Sequence, residues 1–209
     1  RKRPMALLHC VVDNDQRWIS PPKAPFGSVE YNKDCSIAEI DFFLSSIIES
    51  MRNHGAKSIK INHFPECYLL GQEDIVSKSF LTHGFDQIRQ RNYHIPVSVK
   101  LFEENIVTAE KRRLKKCLTA QFKCERDAVR DVSIIYNFLY TCRCNKLYTL
   151  SLNETQLRKL FVACPDDVSV FTVHDRDRII ALSVTVRVHK NIVYNFLTDS
   201  LPEYRVFSP

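Results

Sequence analysis

From Arg178 to His189 one set of side chains, Ile180, Leu182, Val184, Val186 and Val188, alternates with Ser183, Thr185 and Arg187. A period of two fits a β-strand with one buried face and does not fit a helix. A slip of one residue would turn every one of those apolar side chains to the opposite face, so the pairing of this strand is tightly set. Strand-like runs flank it at residues 168–174 and 192–197, joined by the short turns Asp175-Arg-Asp177 and Lys190-Asn191, where Asn tolerates a positive φ. The pattern predicts an antiparallel meander whose Ile180 face is covered by helices.

Two helical patterns come just before it. Ala128, Val132, Ile135, Leu139 and Cys142 share one helical face, and Ser151 with Glu154 reads as a capping box ahead of Leu157, Leu160 and Phe161. The first half is organised differently. Residues 5–12 read as a buried strand, followed by a proline-rich loop from Ser20 to Gly27. Ser36 and Glu39 form a capping box for a helix carrying Ile37, Ile40, Leu44, Ile47, Ile48 and Met51, with Gly55 as its stop. Residues 57–62 predict a strand with Ile59 and Ile61 on one face, residues 73–82 a short helix ending at Gly84, and residues 93–102 an edge strand interrupted by Pro96. A basic helix over residues 103–120 contains Lys111-Arg-Arg-Leu-Lys-Lys116.

These elements give an α+β class, with a mixed, mostly antiparallel sheet flanked by helices. Apolar residues are 44% and charged residues 26% of the 209, the profile of a chain that buries a core. No apolar run reaches the roughly 18 residues of a membrane span, and Arg1-Lys2-Arg3-Pro4 does not open a signal peptide, so the expected location is cytoplasmic, with no membrane partner. The eight scattered cysteines fit reduced thiols, and Cys142-Arg-Cys144 lacks the spacing of a zinc site, so no metal is expected. The net charge of +6 suits an anionic partner, although the basic helix also reads simply as a solvated face.

The order helix, helix, strand, long strand, strand, with the phrases Asp177-Arg-Ile-Ile-Ala-Leu-Ser, Ile192-Val-Tyr-Asn-Phe and Leu201-Pro-Glu-Tyr-Arg-Val-Phe-Ser-Pro209, resembles the first half of a GNAT-like domain of the FemAB-type duplicated proteins. The stretch Arg112-Arg-Leu-Lys-Lys-Cys-Leu-Thr-Ala-Gln-Phe122 is similar to the basic linker helix before the second repeat of that family. The opening half, with its Ala24-Pro-Phe-Gly27 loop, amphipathic helix and following strand, resembles the end of such a domain. The resemblance implies a GNAT-like fold divided into residues 1–102, a linker helix at 103–126 and residues 127–209. It also implies an N-acyltransferase that uses acyl-coenzyme A, most simply acetyl-coenzyme A, and acylates a small-molecule or peptidyl amine. Each half lacks elements of a full unit. They complete each other if residues 57–62 and 5–12 join the sheet of 168–197, within one chain or by exchange in a homodimer; otherwise the chain is a slice of a longer duplicated protein.

The glycine-rich turn with which GNAT enzymes wrap a pyrophosphate is absent, and Pro25-Phe-Gly-Ser28 stands there instead. The amides of Phe26, Gly27 and Ser28, with Lys23 beside them, are the expected cofactor-binding residues, and a turn that only reverses the chain is the other reading. For catalysis the resemblance favours Tyr194 and Asn195 on the fourth strand, then His9; His174 and Glu30 are further candidate bases and Tyr68 a further candidate acid. No triad spacing stands out. Two alternatives remain: an aminoacyl transferase that takes its donor from charged tRNA through Lys111–Lys116, and a degenerate GNAT-fold binding module.

Overall fold

The computed structural model describes residues 4–21, 24–69, 74–97, 99 and 101–207. The chain forms two compact units, residues 1–96 and 97–209.

The first unit is built on a strand–helix–strand crossover. Strand β3 (Arg17–Ser20) leads through the proline-rich loop into helix α1 (Ile37–Asn53), which returns to β5 (Ser58–Ile61). β3 and β5 pair in parallel, Trp18 opposite Ile59 and Ser20 opposite Ile61. The Ser36 hydroxyl accepts from the Glu39 amide at 3.2 Å, and the Ser36 amide donates to the Glu39 carboxylate at 2.8 Å, so the capping box is present. Gly55 then leaves the helix at φ +78°, where glycine carries no Cβ penalty. Ile40 and Leu44 pack with Val29, Val76 and Phe80, the last two from helix α2 (Ile75–Thr82).

Residues 5–12 are not one buried strand. They divide into β1 (Ala6–Leu7), paired with β4 (Glu30–Tyr31), and β2 (Val11–Val12), which pairs with β3. Each has a single neighbour in its sheet, which leaves Leu7, Val11 and Val12 exposed. The central strand is β3, whose apolar pair Trp18-Ile19 is too short to give a periodic signal. Residues 93–97 form no strand and are exposed; they sit at the boundary between the units, where linkers usually fall.

In the second unit, strands β6 (Lys123–Arg126), β7 (Val168–Asp175), β8 (Arg178–His189) and β9 (Ile192–Ser200) form an antiparallel sheet in that order. Helices α5 (Val132–Cys144) and α6 (Glu154–Ala163) join their apolar faces to it: Ile135, Leu139, Leu157 and Phe161 pack on Val168, Val170, Leu182, Val184 and Leu197. On β8, Leu182 and Val184 are buried in the helix-facing core as the alternation predicts; Ile180 is also buried but outside that cluster, because the β7–β8 register shifts at Val173/His174 and Ile179 packs on the core instead, while Val186 is half-buried and Val188 is 40% exposed. The register of β8 on β9 shifts at Val184/Thr185 and again at Arg187/His189, so the strand leaves the core at its end.

Three local expectations are corrected. The cap of α6 is Asn153 with Gln156, not Ser151 with Glu154; the two signals overlap, and Glu154 in the first turn bonds instead to Ser133 and Arg158. The basic helix breaks at β-branched Ile106-Val107 into α3 (Phe102–Asn105) and α4 (Thr108–Thr119). The positive φ in the hairpins belongs to Arg176, at 55°, and not to Asn191.

Among the described residues every ladder stays within its own unit. β5 is taken by β3, and the outer edge of β7 by β6, whose four residues are all exposed and polar or charged enough to hide it from a periodicity search. Within one chain, residues 57–62 and 5–12 therefore do not extend the meander.

Candidate functional site

A parallel crossover gathers the carboxyl ends of its strands at one edge, and in open α/β sheets that edge is where ligands bind. Here β3 ends at Ser20 and β5 at Ile61, and the chain leaving each meets the other: the Asn62 amide donates to Ser20 O at 3.1 Å, and the Gly27 amide donates to Asn62 O at 2.7 Å. Gly27 is required by close approach. A Cβ there would lie 2.5 Å from Pro21 Cδ. Phe26 packs edge-on against Tyr68 with ring centroids 4.9 Å apart and against Phe64 at 6.2 Å, so both sides of the turn are pinned.

This packing delivers Ser28 to His63. The Ser28 hydroxyl lies 2.7 Å from His63 Nδ1, and His63 Nε2 lies 2.8 Å from Asp74 Oδ2. A carboxylate only accepts, so Nε2 carries the ring proton and donates it to Asp74; in the neutral ring Nδ1 then accepts from the Ser28 hydroxyl. The other oxygen of Asp74 caps α2, accepting from the Ser77 amide at 2.9 Å, which holds the carboxylate in place. Ser28 is 5% exposed, and the side chains of His63 and Asp74 are 23% and 27% exposed. The result is a chain of hydroxyl, imidazole and carboxylate, the order that activates a serine oxygen in acyl-transfer enzymes.

A second cluster between α1 and α2 uses the same residue types to a different end. The Ser79 hydroxyl and His83 Nε2 both bond to one oxygen of Asp41, at 2.6 and 3.1 Å. With the carboxylate in the middle, Ser79 donates to Asp41 and no imidazole stands ready to take its proton. That cluster ties the helices together. In the second unit, Asp199, its side chain 1% exposed, is paired with Lys146 and with Arg143 at 3.1 Å. Burial, and then the Asp199 charge, push the Cys142 thiol up to about 11, which keeps it protonated and unreactive.

Of the sequence-predicted residues, Phe26, Gly27, Ser28 and Tyr68 meet at this edge. Gly27 spends its amide on Asn62. Lys23 lies outside the described residues. Tyr194 and Asn195 are on β9 in the second unit, where Asn195 accepts from the Ser183 hydroxyl at 2.8 Å and burial raises the Tyr194 phenol. His174, also there, bonds to Thr172 at 2.9 Å. His9 is exposed between β1 and β2, and Glu30 is exposed on β4. Sequence reasoning missed His63 and Asp74; the one local signal was Asp74 with Ser77 three residues on, a helix start eleven residues after a histidine that follows a strand.

Among the described residues no cluster of His, Cys, Asp or Glu is suited to hold a metal ion. None of their helices is long and apolar enough to cross a membrane. No known protein family matches the chain, and no curated protein matches it.

Proposed function

We propose that the protein is an N-acyltransferase of GNAT-like fold that moves an acyl group from acyl-coenzyme A to the amine of a small molecule or a peptide. The observation that carries this reading is the first-unit crossover β3–loop–α1–β5, whose Phe26-Gly27-Ser28 turn sits at the carboxyl edge of two parallel strands beside an imidazole–carboxylate pair. The helix, helix, strand, strand, strand order of α5, α6, β7, β8 and β9 supports it, since the resemblance of the second half rests on that order.

Acyl transfer to an amine needs a carbonyl held near its attacker, removal of a proton from nitrogen, and a place for the departing thiol's proton. His63, oriented by Asp74, supplies the proton acceptor. The Phe26–Tyr68–Phe64 aromatic group gives the acyl chain or the acceptor an apolar wall. Because Gly27 is covered by Pro21 and its amide is bonded, the turn offers the donor's phosphates no open glycine cradle. All eight cysteines are free thiols, which suits the cytoplasm.

The direct test is transfer itself. Acetyl-coenzyme A labelled in the acetyl group, offered with polyamines, amino sugars and lysine peptides, should yield an N-acetyl product. Coenzyme binding with every amine left unmodified would favour the binding-module reading. A tRNA-dependent aminoacyl transfer has its own support in α4, where Arg112, Lys115 and Lys116 line a depression of about 480 Å³ together with Phe207. Binding of tRNA that falls steeply with salt would favour that donor.

A further inference from the structure

We infer that Ser28 carries the acyl group covalently, as an acyl-enzyme formed by the Ser28–His63–Asp74 relay. The inference rests on the acyl-transfer reading above but not on the identity of the donor. Its basis is where the relay ends. In the resting arrangement both ring nitrogens of His63 are engaged, Nε2 by Asp74 and Nδ1 by Ser28, so until Ser28 is acylated His63 has no lone pair free for a substrate proton. The basicity of the pair reaches substrate through the Ser28 oxygen. The contrast with Asp41 shows that residue types alone do not create this: there the hydroxyl points at the carboxylate and the histidine is not its base. Ser28 is also held rigidly, one residue after the Gly27 amide is tied to Asn62 in a turn packed by Pro21.

The steps balance without any further reactant. Ser28 Oγ attacks the thioester carbonyl carbon as its proton passes to His63 Nδ1. The carbon–sulfur bond breaks, and the thiolate leaves as a thiol with the proton from His63. The amine nitrogen then attacks the Ser28 ester, the carbon–nitrogen bond forms, and the bond from carbon to Ser28 Oγ breaks. The amine gives its proton to His63, which returns it to Ser28 Oγ. Asp74 stays ionised throughout and holds the imidazolium. The ring is reversed relative to the usual serine triad, with Nδ1 toward the hydroxyl, and this is chemically equivalent because either nitrogen can serve as the base.

The test uses p-nitrophenyl acetate, an activated ester that requires no coenzyme site, on the full chain without an amine. The expected result is a burst of p-nitrophenolate equal to the protein present, and one added acetyl group that peptide mass mapping places on Ser28. Ser28→Ala should abolish both. Asp74→Asn keeps the helix cap, since Asn and Asp cap equally well, but removes the charge that sets the tautomer; it should slow the burst by about 10²–10⁴-fold. Its Trp18 fluorescence should stay native, so this readout survives even if Ser28→Ala fails to fold. An acetyl group mapped to another residue, or a burst unchanged in Asp74→Asn, overturns the relay. Acetylated Ser28 with no binding of acetyl-coenzyme A supports the relay and removes the coenzyme as donor. Acetyl-coenzyme A binding without acylation of Ser28 by either reagent does the reverse.

Discussion

Replacing Gly27 with alanine adds one carbon where the proline ring of Pro21 already closes on the backbone. The new Cβ would lie 2.5 Å from Pro21 Cδ and 2.9 Å from Cγ, shorter than nonbonded carbons tolerate. A proline ring cannot rotate out of the way, so the backbone of the turn must move. Overpacking of this kind costs about 1–3 kcal/mol. If the shift also breaks the 2.7 Å bond from the Gly27 amide to Asn62 O, about 0.5–1.5 kcal/mol more is lost. At a urea dependence of about 1–3 kcal/mol per molar, the sum moves the unfolding midpoint of the unit down by roughly 0.5–4.5 M. Trp18, the chain's one tryptophan, sits on β3 and reports on this unit by fluorescence. Gly55→Ala is the control: it meets no atom within 4 Å, and its φ of +78° leaves only left-handed strain of about 1–2 kcal/mol. A Gly27→Ala midpoint within about 0.2 M of wild type would refute the packing of Pro21 on Gly27. The same crowding makes a larger residue at Gly27 a poor probe of coenzyme binding, since it would disturb the fold as well.

Val184→Asp places an unpaired carboxylate at a position that is 0% exposed, and it should destabilise the second unit by several kcal/mol, on the order of 3–5; a wild-type thermal melt by circular dichroism would contradict the meander's assigned face. Asp41 is held below its ordinary value of 3.8, chiefly by the Ser79 hydroxyl. A carboxylate depressed in the folded state stabilises above its unfolded value and loses that contribution as pH falls through the folded one. Ser79→Ala should therefore flatten the acid side of the first unit's stability profile below about pH 4, read by urea midpoints across pH; an unchanged slope would show that the Ser79–Asp41 bond does not persist in solution.

The parts legible in sequence are those in which a period or a paired cap repeats the same instruction. Leu182 and Val184 follow from alternation, which fails at Ile180, where a bulge against β7 turns Ile179 to the core, and α1 follows because Ser36, Glu39 and the spacing of Ile40, Leu44, Ile48 and Met51 agree. Beta strands that depend on their neighbours were not legible. β3 has only Trp18-Ile19 to mark it, and β6 has no apolar face, so their pairing is a property of the assembled sheet. Residues 5–12 misled in the other direction: apolar content suggested a continuous buried strand, but edge positions leave Leu7, Val11 and Val12 exposed while Ala6 and Leu8 pack on the core. The candidate site was half visible. Ser28 stood out for the amides of its turn, whereas the structure gives its hydroxyl a histidine 35 residues away, and that histidine a carboxylate 11 further on. No local pattern encodes those separations, which depend on the parallel crossover and on where α2 starts.

The acyl-coenzyme A reading is tested most directly by calorimetric titration of the intact chain with acetyl-coenzyme A at fixed, moderate salt. The account predicts a saturable heat with one site and a Kd below about 1 mM, in the range where enzymes hold their substrates. Absence of any heat at millimolar concentrations of both acetyl-coenzyme A and coenzyme A would contradict it.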